Sequence, residues 1–359
     1  MVTEKHLLKE HGEGKNLQEE KPRQISSTSP EIPGLSNLSK GKIVAVITTV
    51  MYGLTNVSIK MATEIVHPNE VTLITGLALL LGSGCIFLTK PSEKISWQNL
   101  LISVFSGMIL FLTMTLENVA FGISRAGDVV AVQYSSEVLM SGVIAYLFLG
   151  ERFGIYFILL SFLSIAGVFL VIQPPFLFPF EDKGLEKGSQ ISGMLLALTS
   201  GSGFSVLYTV VRYLSHTKCP FDHLIFLDSI ILVVGPIFLI TWTHTWKIPQ
   251  TPLDWLTFLF AGSLEAFALI MTLWAIQKDP VLFVSLILTF EVVVTYVVEY
   301  FIFHTVPTLL TTLGALFIFI SCLGIIVYGD SEDEETGDQF YWVPPFEPKY
   351  QLIIVPGNR

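Results

Sequence analysis

The sequence predicts an all-α integral membrane protein of ten transmembrane helices, built as two inverted five-helix repeats. Three observations predict this fold class: a very apolar composition, ten apolar stretches of membrane-spanning length, and two glutamates at matching positions of two such stretches. The chain has 359 residues, of which 52% are hydrophobic and 14% charged, whereas soluble domains are about a quarter charged. Its mean hydropathy is +0.65. These values exclude an ordinary soluble domain.

Ten stretches are apolar over about 20 residues, which is the length a helix needs to cross a bilayer. They lie near residues 43–66, 71–89, 98–118, 128–149, 154–173, 191–213, 223–243, 254–276, 281–303 and 308–328. Turn-forming and charged residues separate them, as in His67-Pro68-Asn69 and Lys278-Asp279-Pro280. An even number of spans places both termini on the same side of the membrane.

The spans fall into two groups of five. The predicted segments are a polar N-terminal tail at 1–40, a first repeat at 41–175, a loop at 176–190, a second repeat at 191–329 and an acidic C-terminal tail at 330–359. Both tails have the composition of disordered segments. Because Lys and Arg are more frequent in the loops on the side of the tails, we expect both termini to be cytosolic.

Two glutamates within apolar segments indicate that the two halves are related. Glu137 lies in the segment QYSSEVLMSGVIAYLFLGERF, and Glu291 lies in the segment ILTFEVVVTYVVEYFIFHTVP. When the two glutamates are aligned, Tyr146 falls on Tyr300. A charged side chain at the bilayer centre costs about 2.5–3.5 kcal/mol on insertion scales. Two carboxyl groups at matching depth therefore predict a shared polar site.

Basic residues near span ends also match. Lys60 in span 1 falls on Arg212 in span 6, and Arg125 precedes span 4, where Glu117 or Asp128 is its expected partner. Five spans per half invert the second copy, as in secondary transporters with a substrate site near the midplane. The three basic residues are thus candidates for a gate or cavity mouth. The alternatives are side chains that reach the membrane surface and a chance alignment of apolar helices.

Glu137 and Glu291 are the main candidates for binding the substrate or coupling its transport to protons. Further polar residues inside spans are candidates for the same cavity: Gln133, Tyr134, Asn56, Glu265 and Tyr296, with Asp228 in span 7 a weaker one. In the alternative interpretation these side chains only connect helices through hydrogen bonds. Such bonds contribute under about 1 kcal/mol on average in membranes.

The sequence contains no pattern typical of an enzyme. It has neither a glycine-rich phosphate loop nor an HExxH segment. Cys85, Cys219 and Cys322 are scattered, so no zinc site or disulfide framework is predicted. We expect no enzymatic activity, no cofactor, no metal and no nucleic-acid partner. The expected partners are a small-molecule solute and the lipid bilayer.

Short motifs resemble one transporter superfamily. YGLTNVSIK at residues 52–60 resembles the first span of the drug/metabolite transporter superfamily, EamA type, and FLGER at residues 148–152 resembles the signature that ends its fourth span. IQPPF at residues 172–176 is similar to the G group of solute carrier family 35. The resemblance implies a ten-helix carrier that works by alternating access, with no particular substrate. In the second half, IFHT at residues 302–305 replaces the Leu-Gly-Glu core.

We therefore predict a secondary active transporter of a small polar organic solute. The basic residues at span ends favour an anionic metabolite. One alternative is a regulatory or scaffolding membrane partner that retains the fold but does not transport, which the divergent IFHT segment would allow. A channel is disfavoured, because two paired repeats close the centre.

The C-terminal tail carries a segment that bears on localisation. Tyr350-Gln351-Leu352-Ile353 fits a tyrosine-based sorting pattern. It predicts recognition by sorting machinery and residence in the plasma membrane or an endomembrane. A homodimer is a further open expectation.

Overall fold

The computed structural model describes residues 40–89, 95–149, 154–172, 187–304 and 309–328. All regular structure in these ranges is helical. The predicted tails, the sorting segment and the second half of FLGER lie outside the described residues.

Eleven α-helices follow one another along the described chain. They are α1 (Lys40–Ile65), α2 (Pro68–Thr89), α3 (Trp97–Ile123), α4 (Ala126–Ile144), α5 (Ile155–Ile172), α6 (Lys187–His216), α7 (Phe221–Thr243), α8 (Pro252–Lys278), α9 (Val281–Leu288), α10 (Glu291–Phe303) and α11 (Leu309–Tyr328). A π-helical turn, Ala145–Leu149, continues α4.

Seven helical segments of the described chain are long and apolar enough to cross a membrane. They are Lys40–Ile65, Trp97–Ile123, Ala126–Leu149, Ile191–His216, Phe221–Thr243, Pro252–Lys278 and Val281–Ile302. Two shorter apolar segments, Ile158–Leu170 and Thr312–Gly324, lie in α5 and α11. Large apolar side chains such as Phe162 and Trp242 are exposed on the outside, where a lipid environment favours them. The chain is therefore an all-helical, multi-pass membrane protein.

Helices from the two halves pack against each other in matching pairs. α1 packs mainly on α8 and α3 on α6, while α2 packs on α7 and α5 on α11. Likewise α4 packs on α6, and α9 and α10 pack on α1. α9 and α10 together correspond to the ninth predicted span, and α11 corresponds to the tenth. When spans 1–5 are exchanged with spans 6–10, the same set of helix pairs results. The buried core is thus shared between the halves, which places polar residues of both halves next to each other.

The span that carries Glu291 is interrupted just before this residue. The amide of Phe290 donates to the Ile287 carbonyl over 3.1 Å, and the amide of Val292 donates to the Thr289 carbonyl over 3.1 Å. These bonds span three residues instead of the four of an α-helix, so the turn is tightened. Glu291 consequently begins α10, where the positive end of the helix dipole favours a carboxylate.

Gly201 allows α6 to approach α4 beside Glu137. A Cβ atom at this position would lie 2.1 Å from the main-chain oxygen of Gln133 and 2.2 Å from the Ser136 hydroxyl oxygen. Only a residue without a side chain permits this separation, and small residues are typical of close helix contacts in membranes. Gly201 therefore fixes how closely the second half packs on the helix that bears Glu137.

We expect Gly201→Ala to destabilise the protein by about 1–3 kcal/mol, because the added methyl group must displace the backbone of α4. The control is Gly82→Ala, since nothing lies within 4 Å of a Cβ atom there. This control should be neutral, or stabilising by up to about 1 kcal/mol through helix propensity. Apparent melting temperatures of the purified variants measure the difference, and equal melting temperatures would contradict the predicted close contact.

Candidate functional site

Four glutamates from four helices are buried between the two halves. They are Glu117 on α3, Glu137 on α4, Glu265 on α8 and Glu291 on α10, with exposed fractions of 9%, 0%, 2% and 2%. Glu117 interacts electrostatically with Glu265 and Glu291, and Glu137 interacts with Glu117. We call these four residues the acidic cluster. It joins acids of the first half to acids of the second.

Glu291 is held by donors from two other helices. The Asn56 amide on α1 donates to one carboxylate oxygen, and the Tyr134 hydroxyl on α4 donates to the other. Gly53 makes the first contact possible, because a Cβ atom there would lie 2.3 Å from a methyl carbon of Val294. The close approach of α1 to α10 thus brings Asn56 to Glu291.

Glu137 has a different environment. Its carboxyl group is fully buried, and the Ser285 side chain on α9 hydrogen-bonds it. Its main-chain oxygen accepts a hydrogen bond of 2.8 Å from the Ser205 hydroxyl on α6. Glu137 is therefore held through its backbone by α6 and through its carboxyl group by α9.

The other two glutamates have partners from the first half. The Thr75 hydroxyl on α2 donates to Glu265, and the Gln133 side chain on α4 hydrogen-bonds Glu117. The cluster is thus connected to α1, α2 and α4 by amide and hydroxyl groups.

Three tyrosines surround the acidic cluster. Tyr134 and Tyr208 are buried, and Tyr52 is partly buried. Tyr208 interacts electrostatically with Glu137, and Tyr52 interacts with Glu291. These side chains come from α1, α4 and α6, so acidic groups and aromatic rings from both halves share one site.

A second polar network lies at the start of α4. The Tyr296 hydroxyl donates to Asp128 over 3.0 Å, and the Gly127 amide donates to Glu299 over 3.3 Å. Arg125 interacts electrostatically with Tyr296 and Glu299. The sequence analysis assigned Tyr296 to the cavity of Glu291. Tyr296 lies five residues after Glu291 on α10, which is more than one helical turn. Its side chain therefore belongs to this second network.

Lys60 and Arg212 occupy equivalent positions in the two halves. The Lys60 ammonium donates to the Phe121 carbonyl over 2.9 Å. The Arg212 guanidinium donates to the Gln277 carbonyl over 3.0 Å and to the Ile276 carbonyl over 3.3 Å. The accepting carbonyls lie near the ends of α3 and α8, where the helix dipole favours positive charge. Both basic side chains thus bind helix ends rather than the acidic cluster.

Six residues predicted for the cavity meet at the acidic cluster: Asn56, Gln133, Tyr134, Glu137, Glu265 and Glu291. The sequence analysis did not assign Glu117 to the cavity, because span 3 was predicted to end at residue 118. Glu117 was therefore interpreted as a candidate partner of Arg125. α3 continues to Ile123, so Glu117 lies inside the helix and faces the other acids. Asp228 lies apart, beside Ser106 and next to Gly107.

The comparisons with known proteins agree with this arrangement of two related halves. The EamA-like transporter family matches residues 39–173 and, a second time, residues 191–327. The chain belongs to the EamA-like transporter family. The match confirms the resemblance that the short motifs indicated, and each copy of the EamA domain contributes two members of the acidic cluster.

Curated relatives of this EamA protein are distant. The chain is 24% identical over 218 residues to solute carrier family 35 member G1 of Mus musculus, covering 60% of this chain and 58% of the relative. It is 24% identical over 226 residues to the Homo sapiens protein of that name, covering 62% and 61%. A probable transport protein of Saccharomyces cerevisiae is 24% identical over 217 residues, covering 55% and 60%. The chain thus spans less than two thirds of the length of these relatives.

A solved structure shares the fold of this EamA protein. A crystal structure of another protein superposes on the chain with a TM-score of 0.63 at 12% sequence identity. The match covers 80% of this chain and 98% of that chain. At this identity the likeness concerns the fold alone.

Proposed function

We propose that the chain is a secondary active transporter of a small polar organic solute and that the acidic cluster is its central site. Membership of a transporter family supports the general function. The observation that carries the assignment of the site is the meeting of four buried glutamates from both halves, with Glu137 fully buried among them. Acidic residues inside membrane spans are rare and mark substrate or proton pathways.

In this proposal ten spans form two inverted repeats that alternate access to the site. The matching helix pairs supply an interface along which one half moves against the other. The tightened turn before Glu291 and the π-helical turn after α4 are the proposed hinges, since such irregular turns often mark functional positions in helices. The structure then corresponds to a closed state. Both termini face the cytosol, in the plasma membrane or an endomembrane.

The acidic cluster also provides a means of coupling. Four buried carboxyl groups that interact with one another cannot all be ionised at once. In the proposed mechanism at least one of them, Glu137, therefore carries a proton when no solute is bound, and a change in occupancy alters the number of protons that the cluster holds. Transport would then respond to a pH gradient.

The predicted anionic solute depended on Lys60 and Arg212. Both bind main-chain carbonyls at helix ends, so neither supplies a free positive charge to the acidic cluster. The anionic character of the solute stays a prediction that these contacts do not support.

A screen for uptake into reconstituted vesicles tests the proposal. Wild-type protein should accumulate at least one class of polar metabolite above empty vesicles, and the double variant Glu137→Gln/Glu291→Gln should not. If wild type takes up no metabolite from a broad panel, the chain acts as a membrane partner without transport. The hydrogen bonds that Glu291 accepts from Asn56 and Tyr134 favour this second candidate, because they give the glutamate a structural role.

A further inference from the structure

We infer that a cleft between α4 and α5, on the membrane-facing surface, binds one acyl chain of a membrane lipid. The cleft has a volume of about 630 Å³, which lies within the range of about 300–1,000 Å³ that is typical of small-molecule pockets. None of the four glutamates of the acidic cluster lines it. The inference rests on the chemistry of the lining, its depth in the bilayer and its length, and it does not depend on transport activity.

The cleft forms because α4 and α5 follow each other in the chain but pack on different partners. α4 packs mainly on α6, whereas α5 packs mainly on α11. Gly142 of α4 contributes no side chain to the lining, and a Cβ atom there would meet only Leu282 of α9, at an ordinary distance of 3.6 Å. The two helices thus leave a space between them that the described side chains do not fill.

The lining of the cleft is mostly hydrocarbon. Of the described residues that line it, Tyr146 and Ser161 carry a side-chain hydroxyl, and the others have apolar side chains or, at Gly142, none. Water is a poor occupant, because a buried water typically makes about three hydrogen bonds to polar groups. Phe162 on the rim is 64% exposed, so the cleft opens toward the lipid. The apolar molecule available at this place is a lipid chain.

The cleft lies within the depth of one leaflet. On α4 its lining runs from Val138, near the midpoint of the span Ala126–Leu149, to Leu147 near the end of this span. On α5 it runs from Ile158 to Ile165, mainly in the first half of that helix. The helix rises by about 13 Å between Val138 and Leu147, and half of the hydrocarbon core measures about 15 Å. A chain of one leaflet therefore fits the cleft along its length, with the headgroup near the end of α4.

A chain in the cleft makes contacts that the surrounding lipid lacks. The floor contains Val138 and Leu282, which are 2% and 4% exposed, and the rim supplies Val143 from α4 and Phe162 from α5. Lipid tails are as apolar as leucine, so van der Waals packing decides affinity inside a bilayer. A chain that is enclosed by a floor and two walls packs against more protein atoms than one on a convex helix. We therefore expect it to stay bound through purification.

Native mass spectrometry of the purified full chain tests the inference, with dipalmitoyl phosphatidylcholine as the added probe. We expect wild type to retain one lipid molecule after the detergent is washed through. Gly142→Phe places a ring in the cleft and should lower the retained lipid by about tenfold or more, because overpacking is unfavourable. Gly82→Phe is the matched control, since this exposed glycine of α2 has nothing within 4 Å of a Cβ atom. The control should retain lipid as wild type does.

Val143→Phe is a second test that leaves the core untouched, because Val143 is 55% exposed on the rim of the cleft. It should also lower lipid retention, and it decides the question if Gly142→Phe yields no folded protein. Wild type that retains no lipid would overturn the inference, as would equal retention in the cleft variants and in Gly82→Phe. A lipid-free dimer that dissociates in the cleft variants would also overturn it, because the occupant would then be a second copy of the chain.

Discussion

Replacing Glu137 by glutamine should abolish uptake while leaving the protein about as stable as wild type. The carboxyl group is fully buried, and the Ser285 side chain hydrogen-bonds it. Glutamine has nearly the same shape, and its amide oxygen can accept the same hydrogen bond. We expect the stability to change by less than about 1 kcal/mol. Apparent melting temperature and vesicle uptake, measured on the same preparation, check both parts.

This combination separates a functional from a structural glutamate. A glutamate that only connects helices would lose stability on substitution, and uptake would fall because less protein is folded. Functional sites are often less stable than they could be, because activity requires groups that folding alone does not favour. A Glu137→Gln protein that is clearly less stable than wild type would contradict our account of this residue.

Replacing Glu291 by glutamine should have the opposite effect on stability. Both carboxylate oxygens of Glu291 accept a hydrogen bond, one from Asn56 and one from Tyr134. A glutamine side chain has one accepting oxygen, so its amide nitrogen would face one of the two donors. An unsatisfied buried donor costs about 1–3 kcal/mol, and membrane hydrogen bonds fall at the low end of this scale. We expect a loss of about 1–2 kcal/mol.

Glu265→Gln is the matched control for that prediction. Thr75 donates to a single oxygen of Glu265, and the amide oxygen of glutamine can accept the same bond. This variant should therefore lose less than about 1 kcal/mol. Equal losses in the two variants would show that the two donors do not distinguish Glu291 from Glu265.

Much of the site could be predicted from the sequence because acidic residues in apolar segments are conspicuous. Glu137, Glu265 and Glu291 were found in this way, and the hydrophobic pattern placed their helices. Asn56 and Tyr134 were included because polar side chains in spans avoid lipid. The structure adds that these two specifically hold Glu291.

Other features depend on three-dimensional contacts that the hydrophobic pattern does not contain. Glu117 belongs to the cluster because α3 is longer than its apolar stretch suggested. Tyr52 and Tyr208 resemble ordinary aromatic residues of apolar helices. The tightened turn before Glu291 follows from local hydrogen bonds within a continuous apolar segment. Tyr296 was misplaced because a separation of five residues turns a side chain to another face of the helix.

The central claim is that Glu137 couples the movement of a solute to protons. The most direct test measures uptake of the identified solute into vesicles with and without an imposed pH gradient, for wild type and Glu137→Gln. The account predicts that the gradient changes uptake by wild type and that the variant shows neither uptake nor a response to the gradient. Uptake by Glu137→Gln at the wild-type rate, with the same pH dependence, would contradict it.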